Sequence, residues 1–342
     1  TTWNGITVGD GYAVPGTTIT PVSGGNGAAG VYLEETAEIL THGGDISINA
    51  GIGTTSSWPL ATYGEVTLNS GAGTVSIDAN ALSDSYAATA FATGWHDTRR
   101  DGLLKIISSA TDVVAIDVLA RSKDGKSAFT VDGVVQLIAS GSGGAISLEA
   151  SNQSSNTPGI SIGSYYSGRL DVLADSGQIT IDADKELAVG SGGYRGTGFT
   201  VGSLSGTVVD PASNRSSSEI IITADNVDLE RSSKKANIDT TGNVTLQSKS
   251  IAFGSEFTLS DYSIGSTVSA LQVGKSTNTS DVSIDSAISI DGPITVYGGV
   301  INVDANLAST ATTGDGVVIE GQRILQDNGV DTTTQGADIS YT

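Results

Sequence analysis

The stretch that decides the fold runs from Ser280 to Leu307 and reads SDVSIDSAISIDGPITVYGGVINVDANL. Apolar residues alternate with small polar or acidic residues through most of it, which predicts half-buried β-strands rather than helices. Turn residues interrupt the alternation at Asp291-Gly292-Pro293 and at Gly298-Gly299. The apolar side chains expected to face one interior are Val282, Ile284, Ile288, Ile290, Ile294, Val296, Ile301 and Val303.

Strands this short need neighbours stacked above and below them, and the rest of the chain repeats the same pattern. Each copy has a turn residue, a polar residue and then Ile/Val-Ser/Thr-Ile/Leu-Asp/Asn/Glu. Copies begin at Gly44, Gly64, Gly73, Gly144, Gly177 and Gly242, with looser copies at Ser280, Gly316 and Gly336. The pattern predicts an all-β parallel β-helix, that is, a β-solenoid.

The spacing of the copies indicates the length of one coil. Ile46 and Val66 are 20 residues apart, and Val317 and Ile339 are 22 residues apart. Irregular gaps around such a value are typical of coils with variable turns. An antiparallel sandwich is the alternative, but it would join adjacent strands at closer, hairpin-like intervals.

The composition excludes several classes of function. With 16 basic and 37 acidic residues, the net charge of −21 argues against a nucleic-acid partner and against attraction to anionic lipid. No apolar run is long enough to span a membrane, so membrane insertion is not expected. The chain has no Cys and only 5% aromatic residues, which suits a narrow aliphatic core.

The same composition favours a secreted protein at a cell surface. The sequence has no starting Met and no signal peptide, so we expect a processed or excised piece of a longer chain. Residues 1–42 are expected to form an N-terminal β segment with the first coils. Residues 43–342 are expected to form the solenoid, with insertions at about 79–142 and 190–215.

The two insertions hold much of the aromatic and arginine content, and we expect them to project from the solenoid as loops. Aromatic rings next to guanidinium groups suit sugars or acidic polymers. A solvated loop with local ion pairs is the alternative interpretation. The predicted ligand or partner contacts are Tyr86, Trp95, His96, Arg99, Arg100, Tyr194 and Arg195.

Acidic and amide residues end many of the predicted strands, and stacked copies would form ladders of oxygen ligands suited to Ca²⁺. The alternative is that Asp and Asn favour turns at these positions. The residues concerned are Asn49, Asn69, Asp78, Asp182, Asp285, Asp291 and Asp304. No other metal or cofactor is predicted, because the sequence lacks Cys and a His pair at usable spacing.

The repeated units resemble the repeat regions of filamentous-haemagglutinin-like proteins, which are large bacterial exoproteins and adhesins. The resemblance rests on residues 242–254 and 280–307 and covers roughly 43–342 with gaps. It implies a right-handed parallel β-helix, export, and a role in surface attachment or matrix. The interruption at 79–142 and the lack of the family's N-terminal secretion module leave the mode of export open.

These observations predict a structural or adhesive extracellular protein and not an enzyme. Its expected partners are polysaccharide or cell surfaces, and further copies of itself or further coils joined end to end. A polysaccharide lyase or glycoside hydrolase on the same scaffold is the alternative, since fold does not decide function. Ice binding is less favoured, because the polar positions mix Ser, Thr, Asn and Asp.

Overall fold

The computed structural model describes most of the protein as a stack of short parallel strands. The residues it describes are 17–19, 31–33, 36–51, 59–62, 64–81, 89–93, 102–123, 126–153, 157–163, 168–190, 198–203, 217–228 and 236–342. Within these ranges the regular secondary structure consists of β-strands and a single 3-10 turn at Leu259–Asp261, with no α-helix.

The strands fall on three faces, numbered here in sequence order. The first face holds β1 (Thr17–Ile19), β4 (Ile46–Gly51), β7 (Val75–Asn80), β10 (Val114–Ser122), β13 (Ala145–Asn152), β16 (Ile179–Val189), β18 (Ile220–Asp228), β20 (Asn243–Gln247), β23 (Ala270–Val273), β26 (Ile294–Val303), β28 (Asp315–Gln326) and β30 (Asp338–Tyr341).

The second face holds shorter strands, and the long strands β16, β18, β26 and β28 bend onto it at their C-terminal ends. Its own strands are β2 (Val31–Leu33), β5 (Leu60–Thr62), β8 (Phe91–Thr93), β11 (Phe129–Val131), β14 (Ile160–Ile162), β21 (Phe257–Thr258) and β24 (Val282–Ile284).

The third face follows the second in chain order. Its strands are β3 (Thr36–Leu40), β6 (Glu65–Asn69), β9 (Leu103–Ser108), β12 (Val134–Ala139), β15 (Arg169–Ala174), β17 (Gly198–Ser203), β19 (Ala236–Asp239), β22 (Tyr262–Ile264), β25 (Ile288–Ile290), β27 (Leu307–Ser309) and β29 (Thr332–Thr333).

The stacking confirms the predicted fold class, an all-β parallel solenoid. Every pairing between described strands is parallel, and each strand pairs with the strand one coil away rather than with its neighbour in sequence. Adjacent strands therefore lie about 4.8 Å apart along the stack. The first described coil, β1 to β3, pairs in register with β4 to β6, so it belongs to the same stack.

The core consists of rows of identical or similar side chains, one from each coil. Ile46, Val75, Ile116, Ile146 and Ile179 are successive register partners on the first face, and each is at most 1% exposed. A parallel row of alanines lies where this face turns toward the second: Ala50, Ala79, Ala120, Ala150, Ala183 and Ala224. Each of these alanines is at most 1% exposed, so the row belongs to the core.

Buried hydroxyl groups satisfy the backbone at the corner between the third and first faces. Ser70 and Ser108 belong to successive coils, and both donate from Oγ to the carbonyl of Gly73, at 2.6 and 2.7 Å. Thr240 continues the arrangement by donating to the carbonyl of Ser218 at 2.6 Å. Coils approach closely here, since a Cβ on Gly177 would lie 2.1 Å from the carbonyl oxygen of Gly144.

The repeat length differs from the sequence-based expectation. Ile46 and Val66 lie on β4 and β6, which are two faces of the same coil, so their spacing of 20 residues is not a coil length. The register partner of Ile46 in the next coil is Val75, 29 residues on. The pair Val317 and Ile339 does join successive coils.

The segment 79–142, which the sequence pattern predicts to be an insertion, includes strands of the stack. It contains β8 to β12, and β9 and β12 pair in register with strands of the neighbouring coils. The second expected insertion, 190–215, likewise contains β17, which pairs with β15. Strands without the Gly-x-Ile-Ser/Thr-Ile signature can therefore occupy regular places in the stack.

Candidate functional site

The residues predicted to contact a ligand or partner lie outside the part of the protein that the structure describes. They are Tyr86, Trp95, His96, Arg99, Arg100, Tyr194 and Arg195. Their ligand-binding role stays a prediction, and the candidate site is built below from described residues alone.

The outer surface of the first face presents two rows of side chains, the first polar and the second mostly acidic. One row passes through register partners Ser47, Ser76, Asp117, Ser147 and Thr180. They alternate along their strands with buried core residues, so they face outward. The result is a row of short oxygen-bearing groups that repeats about every 4.8 Å.

The second outward row is mostly acidic. It passes through Asn49, Asp78, Leu119, Glu149 and Asp182, again as successive register partners. Stacked carboxylates at one strand spacing repel each other unless cations lie near them.

Basic side chains from other coils neutralise part of this row. The Arg121 guanidinium contacts both carboxylate oxygens of Asp78, at 2.5 and 2.6 Å. Lys249 follows β20, two coils beyond β16, and its Nζ lies 3.0 Å from an oxygen of Asp182 and 3.8 Å from one of Asp184. The Lys249 side chain therefore spans the intervening strand β18.

The charges around Lys249 determine its protonation. Burial alone lowers the pKa of this amine, while the hydrogen bond to Asp182 and the charges of Asp182, Asp184 and Glu149 raise it. The net pKa lies above the ordinary value, so Lys249 stays an ammonium ion at neutral pH. It acts as a cationic partner and not as a base.

An irregularity in β16 lies beside this ion pair. The register with β18 shifts between Ala183 and Glu186, and Lys185 has a φ of 68°, which is uncommon for any residue other than glycine. Such a bulge redirects the side chains around it. We call Asp182, Asp184, Glu186, Asp228 and Lys249 the bulge cluster.

Glu186 is the titratable group in the bulge cluster whose environment favours the neutral form. Burial, and then the negative charge of Asp228, raise its pKa above the ordinary value. The two residues come from neighbouring coils, because Glu186 and Ala188 are in register with Asn226 and Asp228. A carboxyl group with a raised pKa keeps its proton to higher pH, which is the property that a proton donor needs.

Three carboxylates act as clamps between coils, and one of them, Asp285, is a predicted strand end. In each of three pairs one carboxylate oxygen accepts the backbone N–H of a Ser or Thr in another coil, and the carboxylate also accepts that residue's hydroxyl. The pairs are Asp45 with Thr74, Asp225 with Ser250, and Asp285 with Ser260. This arrangement supports a structural role for these carboxylates.

The described residues contain no group of three or more acidic, His or Cys side chains arranged to hold a metal ion. Asn69 accepts the N–H of Gly71 at 3.0 Å, in agreement with the turn interpretation of the strand-end amides. The Ca²⁺ ladder receives no support in this part of the protein.

Sequence reasoning missed the bulge cluster for a physical reason. The sequence pattern identifies Asp182 as a strand end, but its partner Lys249 is distant in sequence and reaches it only through the stacking of coils. The available signal was the run Asp182-Ala-Asp-Lys-Glu186, where the polar and apolar alternation of β16 gives way to consecutive charges.

Comparisons of the sequence with family models, with curated proteins and with solved structures gave no match. The resemblance to filamentous-haemagglutinin-like repeats therefore stays a prediction. Within the described ranges, no helix has the length and the apolar character needed to cross a bilayer.

Proposed function

We propose that this protein is an extracellular structural or adhesive β-solenoid of a bacterial surface or matrix. The observation that carries the proposal is the outward row on the first face, in which Ser47, Ser76, Asp117, Ser147 and Thr180 stand in register on five successive coils. A regular array of short polar groups suits many weak contacts with a repeating polymer, and multivalency converts weak contacts into firm attachment.

Composition supports the same proposal. A Cys-free protein with a net charge of −21 has a strongly hydrated, self-repelling surface, which suits secretion. The solenoid architecture also allows a long adhesin to be built from many coils, or copies to join end to end. The proposed partners are polysaccharide or cell surfaces and further coils or copies of the same kind.

Binding to insoluble neutral polysaccharides, cellulose and chitin, tests the adhesive role. The double variant Ser147→Arg/Thr180→Arg places two bulky side chains in the outward row of the first face. The matched control, Thr67→Arg/Ser263→Arg, makes the same change at outward positions of the third face. We expect the first variant to lose most of the bound fraction and the control to keep it.

Equal binding by the wild type and both variants would contradict a role for the first face. Neutral polymers are chosen because added arginines would otherwise change the attraction to a charged polymer. Unchanged unfolding midpoints in urea show that both variants remain folded.

Glycoside hydrolysis or polysaccharide cleavage is the second candidate, and the bulge cluster favours it. The pKa of Glu186 is raised, and Asp228 of the neighbouring coil supplies a second carboxyl group, so the site offers the pair of carboxyl groups that glycoside cleavage uses. The test is release of reducing ends or unsaturated products from a panel of polysaccharides.

If the protein is an enzyme, the wild type should release product and Glu186→Gln should not. The control Glu320→Gln, at an exposed position of β28, should release product like the wild type. The adhesive proposal predicts that the wild type releases no product. Product release that survives in Glu186→Gln would remove the bulge cluster as its source.

A further inference from the structure

The turn between β28 and β29 contains an asparagine followed by glycine. Asp327 to Val330 form this turn, in which the N–H of Val330 donates to the carbonyl of Asp327 over a long 3.3 Å. Asn328 and Gly329 occupy its two central positions, and both are exposed. Among the described residues, no other asparagine precedes a glycine.

Gly329 leaves the backbone nitrogen after Asn328 accessible. Its φ is 83°, and a Cβ built on it would meet nothing within 4 Å. A residue larger than glycine, above all a β-branched one, would crowd an approach to this nitrogen. The turn also lies at the surface, where local opening needs little energy.

We propose that Asn328-Gly329 is a site of spontaneous deamidation in the folded protein. The backbone nitrogen of Gly329 attacks Cγ of Asn328, the bond from Cγ to Nδ2 breaks, and ammonia leaves. The resulting five-membered succinimide is opened by water at either carbonyl, which gives aspartate or isoaspartate. The net reaction consumes one water and releases one ammonia, with no change in oxidation state.

Other asparagines in the same region are protected by their surroundings. Asn306 accepts the N–H of Asp331 through Oδ1 at 2.9 Å, and a bulky Leu307 follows it. Asn302 lies within β26, in register with Leu325, and Val303 follows it. Asn278 is 5% exposed and donates to the carbonyl of Tyr297 at 2.8 Å. These three residues are internal controls.

The modification would alter the contacts that hold the turn in place. Conversion to aspartate adds one negative charge between Asp327 and Asp331, both exposed. Isoaspartate also adds a methylene to the backbone, which displaces the residues that follow. One of them is Asp331, whose carbonyl accepts the N–H of Leu307 at 3.0 Å. The protein would therefore change slowly and irreversibly with age at this turn.

Mass spectrometry after incubation in oxygen-18-labelled water tests the proposal. The folded protein is incubated at mildly alkaline pH and then digested with trypsin in ordinary water, so that only deamidation before digestion carries the label. Cleavage after Arg323 gives a peptide, residues 324–342, in which Asn328 is the sole asparagine. Cleavage after Lys275 places the three control asparagines in residues 276–323.

We expect label to accumulate at Asn328 well ahead of Asn278, Asn302 and Asn306. In Gly329→Ala the labelled fraction should fall to the level of Asn306. Equal labelling of all four asparagines in the wild type would overturn the proposal, and so would undiminished labelling in Gly329→Ala. The wild-type comparison decides the question even where the alanine strains the turn.

Discussion

At the scale of single residues, the hydroxyl of Tyr262 stands out in the core. Its ring stacks on Phe257 with centroids 5.5 Å apart, and the residue is 3% exposed. The hydroxyl has no hydrogen-bond partner among the residues that the structure describes. Burial, and then the charge of Asp261, raise the pKa of Tyr262 far above the ordinary value, so the phenol stays neutral.

Tyr262→Phe keeps the stacked ring and removes the unpaired hydroxyl. We expect the free energy of unfolding to rise by about 1 kcal/mol, because a buried polar group without a partner destabilises the folded state. The control is Tyr341→Phe, which removes hydroxyl contacts to Thr332 at 2.6 Å and Gln326 at 3.1 Å and should not stabilise. Urea unfolding measures both, and a less stable Tyr262→Phe would show that the hydroxyl has a partner.

The clamp between Asp45 and Thr74 depends on pH. The backbone N–H of Thr74, and then its hydroxyl, lower the pKa of Asp45 below the unfolded value of 3.8. Its stabilising contribution is therefore complete above that value and is lost as the pH falls through the lower, folded-state pKa. The effect is small, because the carboxylate is largely exposed.

Asp45→Asn removes this contribution. The wild type should be slightly more stable than the variant at neutral pH, and the difference should shrink as the pH falls below 3.8. Urea midpoints measured across this range test the idea. A difference that stays constant with pH would mean that the carboxylate charge is not involved.

At the scale of elements, β24 shows how one strand separates core from surface. Ile284 is 0% exposed and stacks in register with Val303, whereas the preceding Ser283 faces outward. The inward row is continuous from coil to coil, so a charge placed in it has no partner and no access to water.

Ile284→Asp should lower the free energy of unfolding by about 3 kcal/mol or more, because it buries an unpaired carboxylate. Ser283→Asp puts the same group on the outer surface of the same strand, where we expect a change of about 0.5 kcal/mol or less. Chemical denaturation of the two variants compares them directly. Similar losses would mean that inward and outward positions of β24 are not distinct.

At the scale of the whole molecule, β30 pairs with β28 and with no other strand in the part of the protein that the structure describes. Ile339 and Tyr341 continue the inward rows of Val317 and Ile319, yet they are 46% and 38% exposed. A strand with apolar side chains at such core positions can pair with a further strand, of the same chain or of a second copy. The net charge of −21 opposes close approach of two copies.

We therefore expect end-to-end association to increase as salt screens the charge. Electron microscopy and sedimentation of the purified protein, at low and high salt and with and without Ca²⁺, measure it. Ile339→Lys should reduce the assembly, while Ile251→Lys, at an exposed site away from β30, should not. Monodisperse monomers under every condition would exclude stacking of copies.

Where the repeated motif is present, local sequence determined that a strand forms and which of its sides is buried. Alternation alone predicts Ile284 and Ile294 as core residues, and both are buried. Alternation suffices because side-chain direction in a strand has a period of two, whatever lies beyond it.

Only the tertiary structure decided which strands are neighbours. The segments beginning at Gly44 and Gly64 carry nearly the same motif, yet they lie on two faces of one coil and never pair with each other. The contact between Lys249 and Asp182 likewise depends on the number of residues in the intervening coils. The length of each turn sets the register between coils, and a local sequence motif contains no information about that length.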